Sequence, residues 1–114
     1  LLALKINLSK FSNTIFFDEI DNGLSGKSLL TTINLIKKIS LNQQTLCITH
    51  HPLLAASCDV HYKVQKIIKD GQTSTTVKKL ITKNEKQNEL TELIGGGFQE
   101  ASNYALTLIN KAAA

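Results

Sequence analysis

The chain has 114 residues, 42% hydrophobic and 19% charged, a globular rather than a disordered composition, enough for one modest core. Lys supplies all the basic charge, with no Arg, and the net charge is +4. No apolar run reaches the roughly 18–20 residues of a membrane helix, no signal-peptide pattern opens the chain, and two Cys do not make a disulfide framework; the expected setting is a reducing cytoplasm, away from membranes.

Leu1 to Leu8 reads as a helix with Leu1, Leu4 and Leu8 on one face and no cap before it. The chain holds no Met, not even at position 1, and the expectation is a C-terminal piece of a longer protein. After a polar break at Lys10 to Asn13, Thr14-Ile15-Phe16-Phe17 is a short apolar run, predicted as a strand buried on both faces. It ends in Asp18-Glu19-Ile20-Asp21 and the loop Asn22 to Gly26. A helix is predicted from Ser28 to Ser40, with Leu29, Leu30, Ile33, Ile36 and Ile39 as its apolar stripe. Thr45 to Thr49 is predicted as a second buried strand, closing in His50-His51-Pro52, and Leu53 to Ser57 as a short helix. Strand, helix and strand together suggest a right-handed parallel crossover.

The pattern then changes. Tyr62 to Lys69 and Thr73 to Leu80 flank Asp70-Gly71-Gln72, a hairpin turn signal. Lys63, Lys66, Lys69, Lys78 and Lys79 gather there, suited to phosphate contacts or, more plainly, to a solvated edge blunted by Lys. Asn84 to Ile94 reads as a helix stopped by Gly95-Gly96-Gly97. Glu100 to Lys111 is a last helix with Ala101, Tyr104, Ala105 and Leu108 on one side.

The chemistry gathers at two strand ends. Ligands of open α/β sheets bind at the carboxyl edge, where Asp18 and Glu19 emerge. Side chains alternate along a strand, so the two acids can hold different tasks. One can support a hard cation such as Mg²⁺ and the other can polarise a water. His50 ends the second strand 32 residues after Asp18, and parallel pairing brings it to the same edge. Two other motifs fail. Gly26-Lys27-Ser28 lacks the earlier Gly of a phosphate loop, because that position is Asp21. Cys58 with His50, His51 and His61 matches no common zinc spacing.

The segments TIFFDEIDNGLSGKS and TLCITHHPLLAASCDVHYKVQK resemble the second half of an ABC-type ATPase head. With the opening LLALK, GQTSTTVKKL and the tail ELTELIGGGFQEASNYALTLINK, the resemblance narrows to the RecN family of bacterial DNA repair proteins, relatives of the SMC proteins. It spans nearly the whole chain. It implies an α/β fold, the C-terminal lobe of a P-loop NTPase head over residues 1–114, with parallel strands and crossover helices, then a hairpin and C-terminal helices. By the same resemblance Asp18 is the Walker B acid supporting Mg²⁺, and Glu19 is the catalytic base. Asp21, Ser25 and Gly26 lie in the nucleotide-facing D-loop, where Ser25 replaces a common Asp, and His50 is the switch histidine, with His51 as its rival. The implied cofactors are ATP and Mg²⁺. The implied partners are a second head in a homodimer, the N-terminal half of the head, and DNA through the whole protein. The implied place is the cytoplasm, at the nucleoid. The Walker A loop and signature motif are absent from the 114 residues. Alternatives are another SMC-like or ABC ATPase, including a transporter subunit, or a non-catalytic interaction module.

Overall fold

The structure, a computed structural model, describes residues 14–97 and 99–113. The expected helix at Leu1 to Leu8 and the polar break after it lie outside the described residues. The chain divides into two compact units, Leu1–His50 and His51–Ala114.

In the first unit, β1 (Thr14–Asp18) pairs in parallel with β2 (Gln44–Ile48), and α1 (Gly26–Ser40) is the crossover between them. The register sets Phe16 opposite Leu46 and Asp18 opposite Ile48. Ile15 and Phe17 are buried, as are Leu29, Ile33 and Ile36 of α1, at the i, i+4, i+7 spacing of one helix face. Lys37 and Lys38 in the last turn of α1 oppose the negative end of its dipole.

The strands are not buried on both faces as expected. Phe16, Leu46 and Ile48 are 61%, 41% and 48% exposed. Among the described residues one crossover helix accompanies this two-stranded sheet, and the exposed residues alternate with the buried ones along β1. For the same reason the stripe on α1 is narrower than predicted. Leu30 is exposed, one residue and about 100° off the covered face. Cys47, expected as a small core residue, is only half-buried.

The second unit opens with α2 (Pro52–Ala56), followed by the antiparallel hairpin β3 (His61–Lys69) and β4 (Gln72–Leu80). Asp70 and Gly71 both take positive φ, 52° and 73°, the backbone of a type I′ turn. Then come α3 (Lys83–Ile94) and α4 (Gln99–Ala113). Ala55 of α2, Leu90 of α3 and Ala105 of α4 form the core, with Ala56, Leu93, Ile94 and Ile109 packed against it. The two core alanines let three helices approach closely around Leu90. Tyr104, predicted on the buried side of α4, is half exposed. Among the described residues no helix is long and apolar enough to cross a membrane.

The hairpin lysines divide by face. Lys63 and Lys78 sit opposite each other across the strands, where like charges repel. Glutamates on α3 relieve this. Lys63 ion-pairs with Glu89 and with Glu92 at 2.9 Å, and Lys78 with Glu85 at 2.8 Å. Hydrogen bonds that the Lys63 ammonium donates to Glu89 and then to Glu92 raise its pKa above the usual range. Glu85 also closes a capping box: Thr82 Oγ1 accepts from Glu85 N–H, and Glu85 accepts from Thr82 N–H and Ile81 N–H. The Lys78 contact first, and these backbone donors next, pull the Glu85 carboxyl down to about 2. At the other end of α3, Gly96 N–H bonds the Thr91 carbonyl and Gly95 N–H the Glu92 carbonyl, a Schellman closure that needs the positive φ of Gly95.

Thr82→Ala should lower stability by about 1 kcal/mol in urea unfolding. Glu85→Gln should also unfold earlier than the parent at pH 7. A depressed carboxyl stabilises the fold above its unfolded pKa and stops doing so as pH falls through its folded value. The gap between parent and Glu85→Gln should therefore narrow from pH 4.5 towards about 2.

Candidate functional site at the carboxyl edge of the parallel pair

β1 delivers Asp18 and Glu19 to its carboxyl edge, and β2 delivers Thr49 and His50 to the same edge. The two chain ends are tied there by Glu19 N–H donating to the Ile48 carbonyl at 2.9 Å. Asp18 keeps the strand alternation and is exposed on the face that carries Phe16. Glu19 breaks it, with φ of +46°, a left-handed backbone unusual for a residue with a Cβ. This turn gives the two neighbouring carboxylates different surroundings.

Glu19 is held from two sides. Asn22 Nδ2 donates to Glu19 Oε2 at 3.1 Å, and Asn22 N–H donates to the Glu19 carbonyl at 3.2 Å. Its other oxygen, Oε1, lies 3.8 Å from His50 Nδ1. That distance is an ion-pair approach rather than a hydrogen bond, leaving both groups open to a shared ligand or water. Both side chains are exposed, Glu19 by half.

The adjacent histidines do different work. His51 Nδ1 accepts from Leu53 N–H at 3.2 Å and caps α2, with Pro52 in its first turn. His50 is the one that meets Glu19.

Asp21, expected in the nucleotide-facing loop, is enclosed in this chain. It is only 4% exposed, and its Oδ2 accepts from Thr49 Oγ1. Its Oδ1 is buried with no hydrogen-bond partner among the described residues. Ser25 and Gly26 remain at the surface. Ser25 precedes α1 in extended backbone without a side-chain capping bond, and Gly26 begins the helix at φ +54°. Sequence reasoning missed Asn22 and Thr49. Asn22 was legible as an amide three residues after an acid, within reach across a tight turn. Thr49 was not, because its bond spans 28 positions.

A metal must be tested against this donor set. Among the described residues no three His, Cys, Asp or Glu side chains converge as a cation cage. Mg²⁺ in phosphate sites takes one or two carboxylates with the rest from water and phosphates, so the exposed Asp18 carboxylate fits it. Zinc does not fit: the Cys58 thiol donates to the Ala55 carbonyl, and burial pushes its pKa up.

No family model matches the chain. It is 36% identical over 132 residues to the DNA repair protein RecN of Synechocystis sp., which takes in the whole of this chain and 23% of that one. The RecN of Bacillus subtilis is 42% identical over 98 residues, 84% of this chain and 17% of its own, and that of Deinococcus radiodurans 30% over 102 residues, 90% and 18%. The chain belongs to the RecN family. It spans about a fifth of the length of these curated RecN relatives. A solved structure from work on the ATP-driven dimerization and DNA-stimulated activation of SMC ATPases matches the fold at TM-score 0.58 and 22% identity, over 85% of this chain and 58% of that one. The α/β fold is thus similar to the one solved in that work.

The left-handed backbone at Glu19 costs stability that a glycine would recover. Glu19→Gly should be more stable than Glu19→Ala by about 0.5–1 kcal/mol in chemical unfolding, since both lose the side chain and only Gly accepts this φ freely.

Proposed function

We propose that this RecN-family chain is the C-terminal lobe of an ATPase head that hydrolyses ATP during recombinational repair of DNA double-strand breaks. The observation that carries the reading is the approach of Glu19 Oε1 to His50 Nδ1, 3.8 Å apart at one sheet edge, beside an exposed Asp18. Kinship with proteins named for DNA repair supports the repair setting, and the cytoplasm, at the nucleoid, is the location this reading carries with it.

Each residue has a task in this reading. Asp18 would hold Mg²⁺, which when bound would offset charge on the phosphates. Glu19, kept in place by Asn22, orients the attacking water and accepts its proton. His50 donates a hydrogen bond towards the γ-phosphate from the far side of that water. Ser25 and Gly26, exposed at the start of α1, form the face turned to a second head, so that two heads enclose the nucleotide. The N-terminal half of the head supplies the phosphate loop. DNA engages the whole protein.

Two measurements test this. The 114-residue chain alone should show no Mg²⁺-dependent ATP turnover, because a Walker A loop supplies most backbone donors to the phosphates and this sequence has none. Turnover by pure chain that Glu19→Gln abolishes would overturn that. In the complete ATPase, Glu19→Gln should bind ATP normally and hydrolyse it about 10²–10⁴-fold more slowly. Asp18→Asn should in addition weaken Mg²⁺-dependent binding. His50→Ala should bind and turn over slowly, whereas His51→Ala should lower the unfolding midpoint through the lost cap and keep turnover. A dead His51→Ala beside an active His50→Ala would reverse the histidine assignment.

A further inference from the structure

We propose that Thr49 is a positioning residue for His50, acting through the buried Asp21, so that the turn after the acidic pair and the end of β2 move as one piece. The inference rests on the reading of Glu19 and His50 as the water-handling pair. Both of those side chains are exposed, His50 by 70%, and exposed side chains do not hold a 3.8 Å approach unaided. Something rigid must fix the backbone beneath them. Two cross-connections do so. Glu19 N–H to the Ile48 carbonyl joins the chains just inside the edge, and Thr49 Oγ1 to Asp21 Oδ2 joins them again just beyond it. Glu19 is itself one end of the first bond, and His50 directly follows Thr49, one end of the second.

The character of Asp21 supports the assignment. A carboxylate that is 4% exposed, with one oxygen lacking any hydrogen-bond partner among the described residues, costs the fold stability. Packing alone does not account for an acid there, since an apolar residue would cost less. An acceptor for the Thr49 hydroxyl does. Leu24 N–H bonds the Asp21 carbonyl, so the same residue also shapes the turn that carries Asn22 to Glu19. Thr49 and Asp21 touch no reacting atom in this account. They set where the imidazole stands relative to the carboxylate.

The test uses the complete ATPase and four variants: Thr49→Val, Thr49→Ser, His50→Ala and the double variant Thr49→Val/His50→Ala. Val keeps the shape and β-branching of Thr and removes the donor. Thr49→Val should lower kcat by roughly ten- to a hundredfold, the range that a misplaced catalytic group costs, with KM for ATP changed by less than about twofold. Thr49→Ser retains the hydroxyl and should recover most of kcat. In the His50→Ala background, Thr49→Val should bring no further loss, because its effect passes through the missing imidazole. If Thr49→Val does not fold, Thr49→Ala gives the same comparison. Losses that multiply in the double variant would overturn the inference, as would normal kcat in Thr49→Val beside a slow His50→Ala. In the latter case the site reading stands and the positioning role alone falls. Normal turnover by His50→Ala would bring down both.

Discussion

The hydrogen bond from Glu19 N–H to the Ile48 carbonyl completes the register of the parallel pair, and the site depends on that register. Strand side chains alternate, so a slip of one residue would turn Ile15 and Phe17 out of the buried face and bring Phe16 into it. The same slip would move His50 along its strand by about 3.3 Å relative to Glu19. Burial of Ile15, Phe17, Leu29, Ile33 and Ile36 therefore selects the site geometry as well as the fold. At about 25 cal/mol per Å² of apolar surface, the penalty for the wrong face far exceeds what the exposed pair could recover by itself.

Beyond the strand end, the chain holds strain and buried charge in a short space. Glu19 adopts a left-handed backbone, and two residues later a carboxylate is enclosed. Each feature opposes folding. Together they produce a turn in which neighbouring acids serve separate purposes: Asp18 outward on the strand face, Glu19 towards His50, and Asp21 inward to Thr49. An ordinary turn would leave three solvated acids repelling one another. The local instability is tolerable because α1 follows at once and anchors the segment through its apolar face.

The second unit solves a different problem. Its hairpin carries lysines opposite one another, a composition that by itself favours solvation over packing. Glutamates on α3 neutralise one face, and the same Glu85 that meets Lys78 caps the helix. Charge pairing and capping thus converge on one carboxylate. His51 caps α2 in this unit while the preceding residue reaches Glu19, so a helix start separates two residues of the same type.

The order of elements, the parallel crossover, the hairpin turn at Asp70-Gly71 and the family were legible in the residues, since these rest on local periodicity, turn chemistry and contiguous motifs. The sequence also placed Asp18, Glu19 and His50 at one edge, because a strand–helix–strand unit leaves little freedom in where its strands end. It overstated the burial of Phe16, Leu46, Leu30 and Tyr104, because hydrophobicity records what a side chain tolerates and only the covering elements decide what it receives. Tertiary structure alone distinguished His50 from His51, since two identical side chains differ only in backbone position. It alone enclosed Asp21 and gave it Thr49, a bond between residues 28 apart that no local pattern encodes, because it exists only once two strand ends have been brought together by the core beneath them.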